Sequence, residues 1–532
     1  MTLAAAPERD PRPPTRIHAD RARGLRRSEA VALAVIVLLA AALRLEGIGT
    51  WYWIDESLSV GLARHNLYEI PSLLLRDGSP PLWYLLLHGW MLLFGTSAVA
   101  THALSFVFAL LTVPAAWYLG RRLFDDRAAW FAATLAAVNP FVTYFARETR
   151  MYSLVVLLAL VVAATFIEAF VDGRQRAAWW FGGSLLALVY THNWGLYTAV
   201  ACAAAIVPIA ATAPDRKALL RRAAIVFGGV GLAYLPWLPA LLSQVQNTGA
   251  PWSFTPTARG VVRELAALFR DERTLGVLAL ATGVGLLSFD RRLRSRDTLA
   301  VVCLGVIVAG PVLIGWVLAH VEPSWATRYL AVVAGPLVLL VALAVSRARG
   351  GVGVAAVALA AILVLQPITR INSGLPLPRD AKSNARALAE RMVPRLTDGD
   401  LVIVAQPEAV PLVHGEMGEG FVYADPMGVV EDPTIVDWRD AEARLRASSL
   451  GDVMGLVDAL EPGQRVLLVL PANAEADTDT SWIELFRLAG QRTMRALNGD
   501  DHFELVARLG GAEGSYVTLD ALVWERVTNE PE

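Results

Sequence analysis

The chain has 532 residues, enough for two or more domains, with 55% hydrophobic residues and a formal net charge of −2. A mean hydropathy of +0.46 exceeds what a soluble globular chain of this size shows, and the near-neutral charge argues against a nucleic-acid partner. The two cysteines, Cys202 and Cys303, sit in separate apolar runs, which excludes a disulfide framework.

Residues 1–28 are rich in Pro and Arg and read as a disordered, basic, cytoplasmic N-terminus. The apolar run Ala30–Leu43 follows a long basic segment and has no small-residue cleavage pattern after it. It reads as a retained signal-anchor helix. Windows of about 20 apolar residues mark eleven candidate spans: 29–48, 98–119, 128–146, 151–171, 178–192, 196–213, 223–243, 274–289, 298–319, 328–346 and 351–367. If the N-terminus is inside, alternate connections should be basic. They are: Arg121, Arg122 and Arg127; Arg174 and Arg176; Arg216 to Arg222; Arg291 to Arg296; Arg347 and Arg349. This arrangement leaves the C-terminus outside.

The first outer loop, 49–97, is long and only partly hydrophilic. Residues 55–68 and 82–94 read as helices lying in the membrane interface through one apolar face, with Ser79-Pro80-Pro81 breaking the chain before the second. From about Asp380 the pattern changes. Strand-like runs 402–404, 466–471 and 503–506 read as buried, and they alternate with amphipathic stretches at 381–395 and 438–460. The expected organisation is a polytopic α-helical membrane domain over 29–370 and an extracytoplasmic α/β domain over 371–532.

Four charged groups fall at the outer ends of spans. Asp55 and Glu56 follow Trp51-Tyr52-Trp53, aromatic residues that favour the membrane–water interface. Carboxylates at that depth serve an ion, a proton or a substrate, or else cap a solvated helix start. Arg147-Glu148-Thr149-Arg150 is a densely charged outer connection; its arginines suit a phosphate, or an ion pair with Asp55 or Glu56. His192 precedes Asn193-Trp194, and Arg328 precedes Tyr329 at the start of a span. Arg44 stands near the outer end of the first span. Arg328 and Arg44 have two readings, a snorkelling side chain or a phosphate contact. Carboxylates beside arginines at one level suit transfer of a group from a lipid phosphate to a hydroxyl.

These residues resemble a known family. Arg44-Leu45 before Trp53-Ile54-Asp55-Glu56-Ser57, then Ser79-Pro80-Pro81-Leu82-Trp83-Tyr84, Arg121-Arg122-Leu123-Phe124, Arg147-Glu148-Thr149-Arg150-Met151-Tyr152 and Arg328-Tyr329-Leu330 are similar to the multi-spanning GT-C glycosyltransferases. The nearest resemblance is to protein O-mannosyltransferases and the aminoarabinose transferase of lipid A, over about residues 30–345. The resemblance implies a polyprenyl-phosphate sugar donor (mannose or a pentose), an inverting reaction, and an active site on the outer face of the plasma membrane. The acceptor is a protein, a lipid or a cell-wall glycan.

Residue by residue, the resemblance makes Asp55 the general base, with Glu148 as the second acid and Glu56 as support. Arg147, Arg150, Arg328 and Arg44 become candidates for the donor phosphate. His192, Tyr152, Tyr329 and Trp83 become candidates for substrate contact. Asp55 and Glu148 are the ligands if a divalent cation, Mg or Mn, binds. The competing reading is a secondary transporter or lipid flippase, since charges within membranes also serve transport pathways. Against it, the sequence has no internal repeat and its charges gather at one surface.

Overall fold

The computed structural model describes residues 25–288, 295–349, 351–365, 381–472, 481–510 and 515–527. The basic tail over 1–24, the loop arginines at 291–294 and the junction at 366–380 lie outside these residues.

The membrane part runs α1 (Arg27–Leu45), α2 (Ile54–Arg64), α3 (Ile70–Asp77), α4 (Leu82–Phe94), α5 (Ala98–Leu123), α6 (Asp126–Val138), α7 (Pro140–Phe145), α8 (Tyr152–Phe166) and α9 (Gln175–Thr191). It continues with α10 (Trp194–Thr212), α11 (Arg216–Tyr234), α12 (Leu238–Asn247), α13 (Ala258–Ala267), α14 (Glu272–Leu286), α15 (Arg296–Ala319), α16 (Ala331–Ser346) and α17 (Val352–Leu365). Among the described residues, seven helical runs are long and apolar enough to cross a bilayer: 27–45, 98–123, 152–171, 194–212, 216–247, 296–319 and 327–346. The other four expected spans coincide with shorter helices: α6 with α7, α9, α14 and α17.

The span expected at 128–146 is broken for a local reason. Pro140 cannot donate to a preceding turn and pushes Asn139 to extended angles (φ −61°, ψ 119°). The Asn139 side chain then accepts from the Val142 N–H at 2.9 Å and caps α7. The same run of chain thereby delivers residues 146–151 in a tight turn instead of a continuing helix.

Burial separates the centre of the bundle from its rim. In the central runs 152–171 and 327–346, 78% and 83% of the apolar window is buried, against 11% in α1. The two central helices approach closely at Gly335, where a Cβ would lie 2.6 Å from the Val156 carbonyl. Small residues allow this kind of helix contact where lipid offers no hydrophobic driving force.

In the long connection between α1 and α5 the two expected helices behave differently. α4 buries Trp83, Tyr84, Leu87 and Met91 and exposes Leu92, Leu93 and Phe94, as a one-faced helix should. α2 instead buries nine of its eleven residues. It is packed between α4 and the C-terminal domain, so the expectation of an interfacial helix with one wet face does not describe it.

The C-terminal domain is a six-stranded sheet in the order β4-β3-β2-β5-β8-β6. Its strands are β2 (Leu401–Val404), β3 (Val422–Asp425), β4 (Gly428–Val429), β5 (Arg465–Pro471), β6 (Phe503–Leu509) and β8 (Leu519–Arg526). A separate parallel pair joins β1 (Ala381–Ser383) to β7 (Ser515–Val517). β2 pairs in parallel with β3 and β5, and the alternation of its side chains feeds two cores. Val402 and Val404 pack with α18 (Ala385–Met392) and α19 (Val410–Met417), while Leu401 and Ile403 face α21 (Leu450–Asp458). Helices α20 (Ala441–Ala447) and α22 (Ser481–Asn498) complete the layers. β6 is a correction to the sequence reading: it is an edge strand whose Glu504, Leu505 and Val506 are exposed.

The two parts share side chains. Ile54 and Leu58 of α2 belong to the same apolar cluster as Leu388, Val402 and Val413 of the C-terminal domain. Gly61 meets that domain so closely that a Cβ would sit 1.9 Å from the Thr434 carbonyl oxygen.

Candidate active site

The acidic pair is divided by the geometry of a helix start. Trp53 is the residue before α2, and consecutive residues of the first turn point about 100° apart. Asp55 therefore faces Arg150 and Arg328 while Glu56 turns into the interior.

Asp55 meets two guanidiniums, Arg328 at 3.5 Å and Arg150 at 3.9 Å. Its Oδ2 is buried and makes no hydrogen bond of normal geometry. Arg150 is held from several sides: Nη1 donates to the Asp55 carbonyl at 3.3 Å and to Ser59 Oγ at 3.0 Å, and its guanidinium lies 5.7 Å from the Tyr152 ring centre. Arg328 stacks 4.5 Å over Trp252 and 5.7 Å from the Tyr329 ring. His192 packs edge-on at 5.0 Å against Tyr329 and at 6.0 Å from Tyr152. Its Nδ1 accepts from the Trp194 N–H at 3.1 Å, which directs Nε2 toward the aromatic group. Asp55, Arg150, Arg328, Tyr152, Tyr329 and His192 thus form one cluster drawn from four separate stretches of chain.

Glu56 has a different environment. It is fully buried and accepts hydrogen bonds from His102 Nε2 at 2.5 Å, the Thr149 N–H at 2.8 Å and Lys382 Nζ at 2.8 Å, with the Trp53 N–H at 3.4 Å. Burial alone would raise this carboxyl, but Lys382 and His102 outweigh it and hold it well below the usual carboxylate range. Such a carboxylate fixes neighbours; it has no free face for substrate.

Glu148 is also buried, yet neither oxygen has a hydrogen-bond partner of normal geometry. Burial pushes its carboxyl up to about 7, with Lys382 opposing and the charges of Glu56 and Asp55 adding to the rise.

Three sequence candidates turn away from the cluster. Arg44 is fully enclosed and donates to the carbonyls of Ala40 (3.1 Å) and Ala136 (2.8 Å), so it ties α1 to α6. Arg147 donates to the Glu46 carbonyl at 2.6 Å and is 4% exposed. Neither guanidinium presents a free fork to a phosphate. Trp83 is fully buried in the main apolar core and acts there as packing.

Sequence reasoning missed His102 and Trp252, described above, and two further charged groups. Lys382 enters from the C-terminal domain and donates to both Glu56 and the Arg147 carbonyl (2.6 Å). Asp77, at the end of α3, accepts from the Tyr84 hydroxyl at 3.2 Å. Burial raises the Asp77 carboxyl, with Ser79 and Arg150 opposing and Asp55 adding to the rise. The signal for Asp77 was its place just before Gly78 and the Ser79-Pro80-Pro81 break; Lys382 carried no local signal.

The residues do not suit the divalent cation expected at Asp55 and Glu148. Asp55 already faces two guanidiniums, and Glu148 has the Lys382 ammonium within electrostatic reach. Among the described residues no three His, Cys, Asp or Glu side chains gather as a metal site would need.

Comparison with known proteins gives this geometry a context. Residues 78–242 match the family model described as dolichyl-phosphate-mannose-protein mannosyltransferase. No curated protein sequence matches the chain. The fold is similar to ArnT from Cupriavidus metallidurans bound to undecaprenyl phosphate, with a TM-score of 0.62 at 14% identity over 95% of this chain and 99% of that one. It is also similar to the archaeal oligosaccharyltransferase AglB from Archaeoglobus fulgidus, in complex with an inhibitory peptide and a dolichol-phosphate (TM-score 0.57, 13% identity, 91% and 80% covered). A third likeness is to the arabinofuranosyltransferase AftD from Mycobacteria, with a TM-score of 0.55 and 17% identity over 96% of this chain but 40% of the longer one. The fold over nearly the whole chain is thus similar to that of these three proteins, and residues 78–242, under a third of the chain, match the mannosyltransferase family model.

Proposed function

We propose that the protein moves a sugar, mannose or a pentose, from a polyprenyl-phosphate donor to an acceptor hydroxyl at the outer face of the plasma membrane, with inversion at the anomeric carbon. The observation that carries this reading is the Asp55 carboxylate set between Arg328 at 3.5 Å and Arg150 at 3.9 Å. The lipid phosphates in the ArnT and AglB structures support a lipid phosphate as the group these arginines receive. The basic inner connections support the outer location.

In this mechanism the donor phosphate takes the two guanidiniums, which leaves Asp55 open to the acceptor O–H. Asp55 accepts that proton as general base while the acceptor oxygen bonds to the anomeric carbon. The bond from that carbon to the phosphate oxygen breaks, and its electron pair stays on the phosphate. Arg150 and Arg328 meet the charge that develops there. Tyr152, Tyr329 and His192 wall the sugar. Glu56 acts at one remove: its bonds from His102, the Thr149 N–H and Lys382 fix the segments on either side of Asp55 and Arg150.

The test uses purified protein in lipid nanodiscs with polyprenyl-phosphate sugars labelled on the sugar. Wild type should release polyprenyl phosphate and form a heavier acceptor product, whereas a transporter would move the lipid uncleaved. Asp55→Asn should cut turnover at least about 100-fold, the scale of a lost general base, with donor binding kept. Near-normal turnover in that variant would remove Asp55 from the chemistry.

A further inference from the structure

A cavity of about 420 Å³ lies outside the Asp55 cluster, between the outer loops of the membrane domain and the C-terminal domain. That is within the range of small-molecule sites, roughly 300–1,000 Å³. One wall is residues 245–251 with Ser253, Glu322 and Pro323; the other is Trp438, residues 440–443 and Ser481. The walls are fastened to each other. The Asp440 N–H donates to the Asn247 carbonyl at 2.8 Å, Thr248 and Arg439 form a β-bridge, and the Trp438 N–H donates to the Arg76 carbonyl at 2.9 Å.

The cavity is linked to the reacting centre through one residue. Ser253 on its wall follows Trp252, whose ring lies 4.5 Å beneath Arg328, and Arg328 is 3.5 Å from Asp55. Trp252 also packs against the aromatic cluster of Trp438 and Trp482 from the C-terminal domain. Ser253 itself is 5% exposed, and its Oγ has no hydrogen-bond partner. Its Oγ is closed off from the cavity, so Ser253 contributes wall there and no hydrogen bond.

The lining has a definite chemistry. It carries the carboxylates of Glu322, Asp440 and Glu442 and the amide of Gln246, and it includes no Lys, Arg or His. Glu442 already receives Arg446 at 2.7 Å and Ser481 at 2.5 Å on Oε1, which leaves its other oxygen. Carboxylate oxygens accept hydrogen bonds and repel anions, so a phosphorylated or carboxylated acceptor is disfavoured here. Acceptor oxygens and amides beside Trp438 suit the paired hydroxyls and apolar ring faces of a sugar. An extended peptide would call for a strand edge or a row of apolar pockets.

We propose that this cavity is the acceptor site and that the acceptor is a neutral glycan. The proposal rests on the glycosyl-transfer reading above and specifies its acceptor. The C-terminal domain thereby supplies half of the acceptor-binding surface.

The test is a binding titration followed by a turnover measurement on the same full-length protein in nanodiscs. Tryptophan fluorescence, read without turnover, is titrated with neutral manno- and arabino-trisaccharides, with the same trisaccharides bearing a terminal phosphate, and with a Ser/Thr-rich peptide. A neutral trisaccharide should bind at least about tenfold more tightly than its phosphorylated form, the scale of one unfavourable charge contact. Glu322→Gln, at an exposed position that does not threaten folding, should narrow that gap. Gln246→Ala should weaken the neutral ligand several-fold through one lost hydrogen bond. Preference for the phosphorylated trisaccharide or the peptide would overturn the proposal, as would variants that bind the neutral ligand like wild type. If donor cleavage persists in those cases, the glycosyl-transfer reading stands and only the acceptor assignment falls. If wild type binds the trisaccharide but cleaves no polyprenyl-phosphate sugar even to water, the glycosyl-transfer reading falls instead.

Discussion

Replacing Lys382 by Met removes the one ammonium that spans the two domains at the Glu56 carboxylate. In the native protein this group lies 2.8 Å from Glu56 Oε2 and 2.6 Å from the Arg147 carbonyl, and both partners are buried. Without it, Glu56 keeps His102 and the Thr149 N–H but loses the counter-charge on its second oxygen. Breaking a buried pair from one side costs roughly 3–5 kcal/mol, because the remaining charge stays dehydrated. For a unit the size of the C-terminal domain that corresponds to a fall in Tm on the order of 10 °C. The assay is a double-mutant cycle with Glu56→Gln, followed by tryptophan emission during heating in nanodiscs. The double variant should be more stable than the sum of the single losses allows, because the second change removes the stranded charge. Turnover should fall with Lys382→Met, since Glu56 adjoins Asp55 and its partner Thr149 adjoins Arg150. Strictly additive losses, or a Tm within a degree of wild type, would refute the buried-pair reasoning.

Other perturbations test neighbouring parts of the site. Burial raises the Glu148 carboxyl to about 7 from an ordinary 4.5, so the folded state holds its proton more tightly than the unfolded chain does. Its contribution is therefore complete below about pH 4.5 and is lost as pH rises through about 7. Glu148→Gln should match wild type in Tm near pH 5 and exceed it at pH 8; a constant difference across that range would contradict the assignment. Arg328→Lys keeps the charge but loses the planar group stacked on Trp252, and the donor KM should rise about tenfold in steady-state kinetics. An unchanged KM would detach Arg328 from the donor. Gly61→Ala places a methyl where the Thr434 carbonyl already sits, which should cost about 1–3 kcal/mol and make the domain junction more sensitive to limited proteolysis. Unaltered digestion would mean that α2 and the C-terminal domain can part without loss.

The long apolar helices were legible because a bilayer demands a composition that nothing else in the chain imitates. The level of the charged groups was legible for the same reason, and it correctly drew Asp55, Arg150 and Arg328 toward one place. What each charge does there depends on its partners, and those come from distant chain. Arg44 and Arg147 look like Arg150 in sequence, yet each is spent on backbone carbonyls of neighbouring segments. Glu56 stands beside Asp55 and differs from it by roughly a third of a helical turn, which is enough to move it from the two arginines to His102 and Lys382. The break at Asn139-Pro140 was readable, but the apolar content on both sides masked it. Edge strand β6 was misread as buried because alternation is blurred where an exposed face keeps Leu505 and Val506.

The bond between Lys382 and Glu56 joins residues 326 positions apart. At about 5–20 residues per second, a ribosome makes the second partner roughly 15–65 s after the first. Throughout that interval the Glu56 carboxylate has no ammonium and the α2 side chains Ile54 and Leu58 have no apolar cover. A half-made chain therefore carries Asp55 without the contacts that frame its neighbour Glu56. The frame around Glu56 is complete only once the C-terminal domain has been made and packs on α2, so synthesis itself times its assembly.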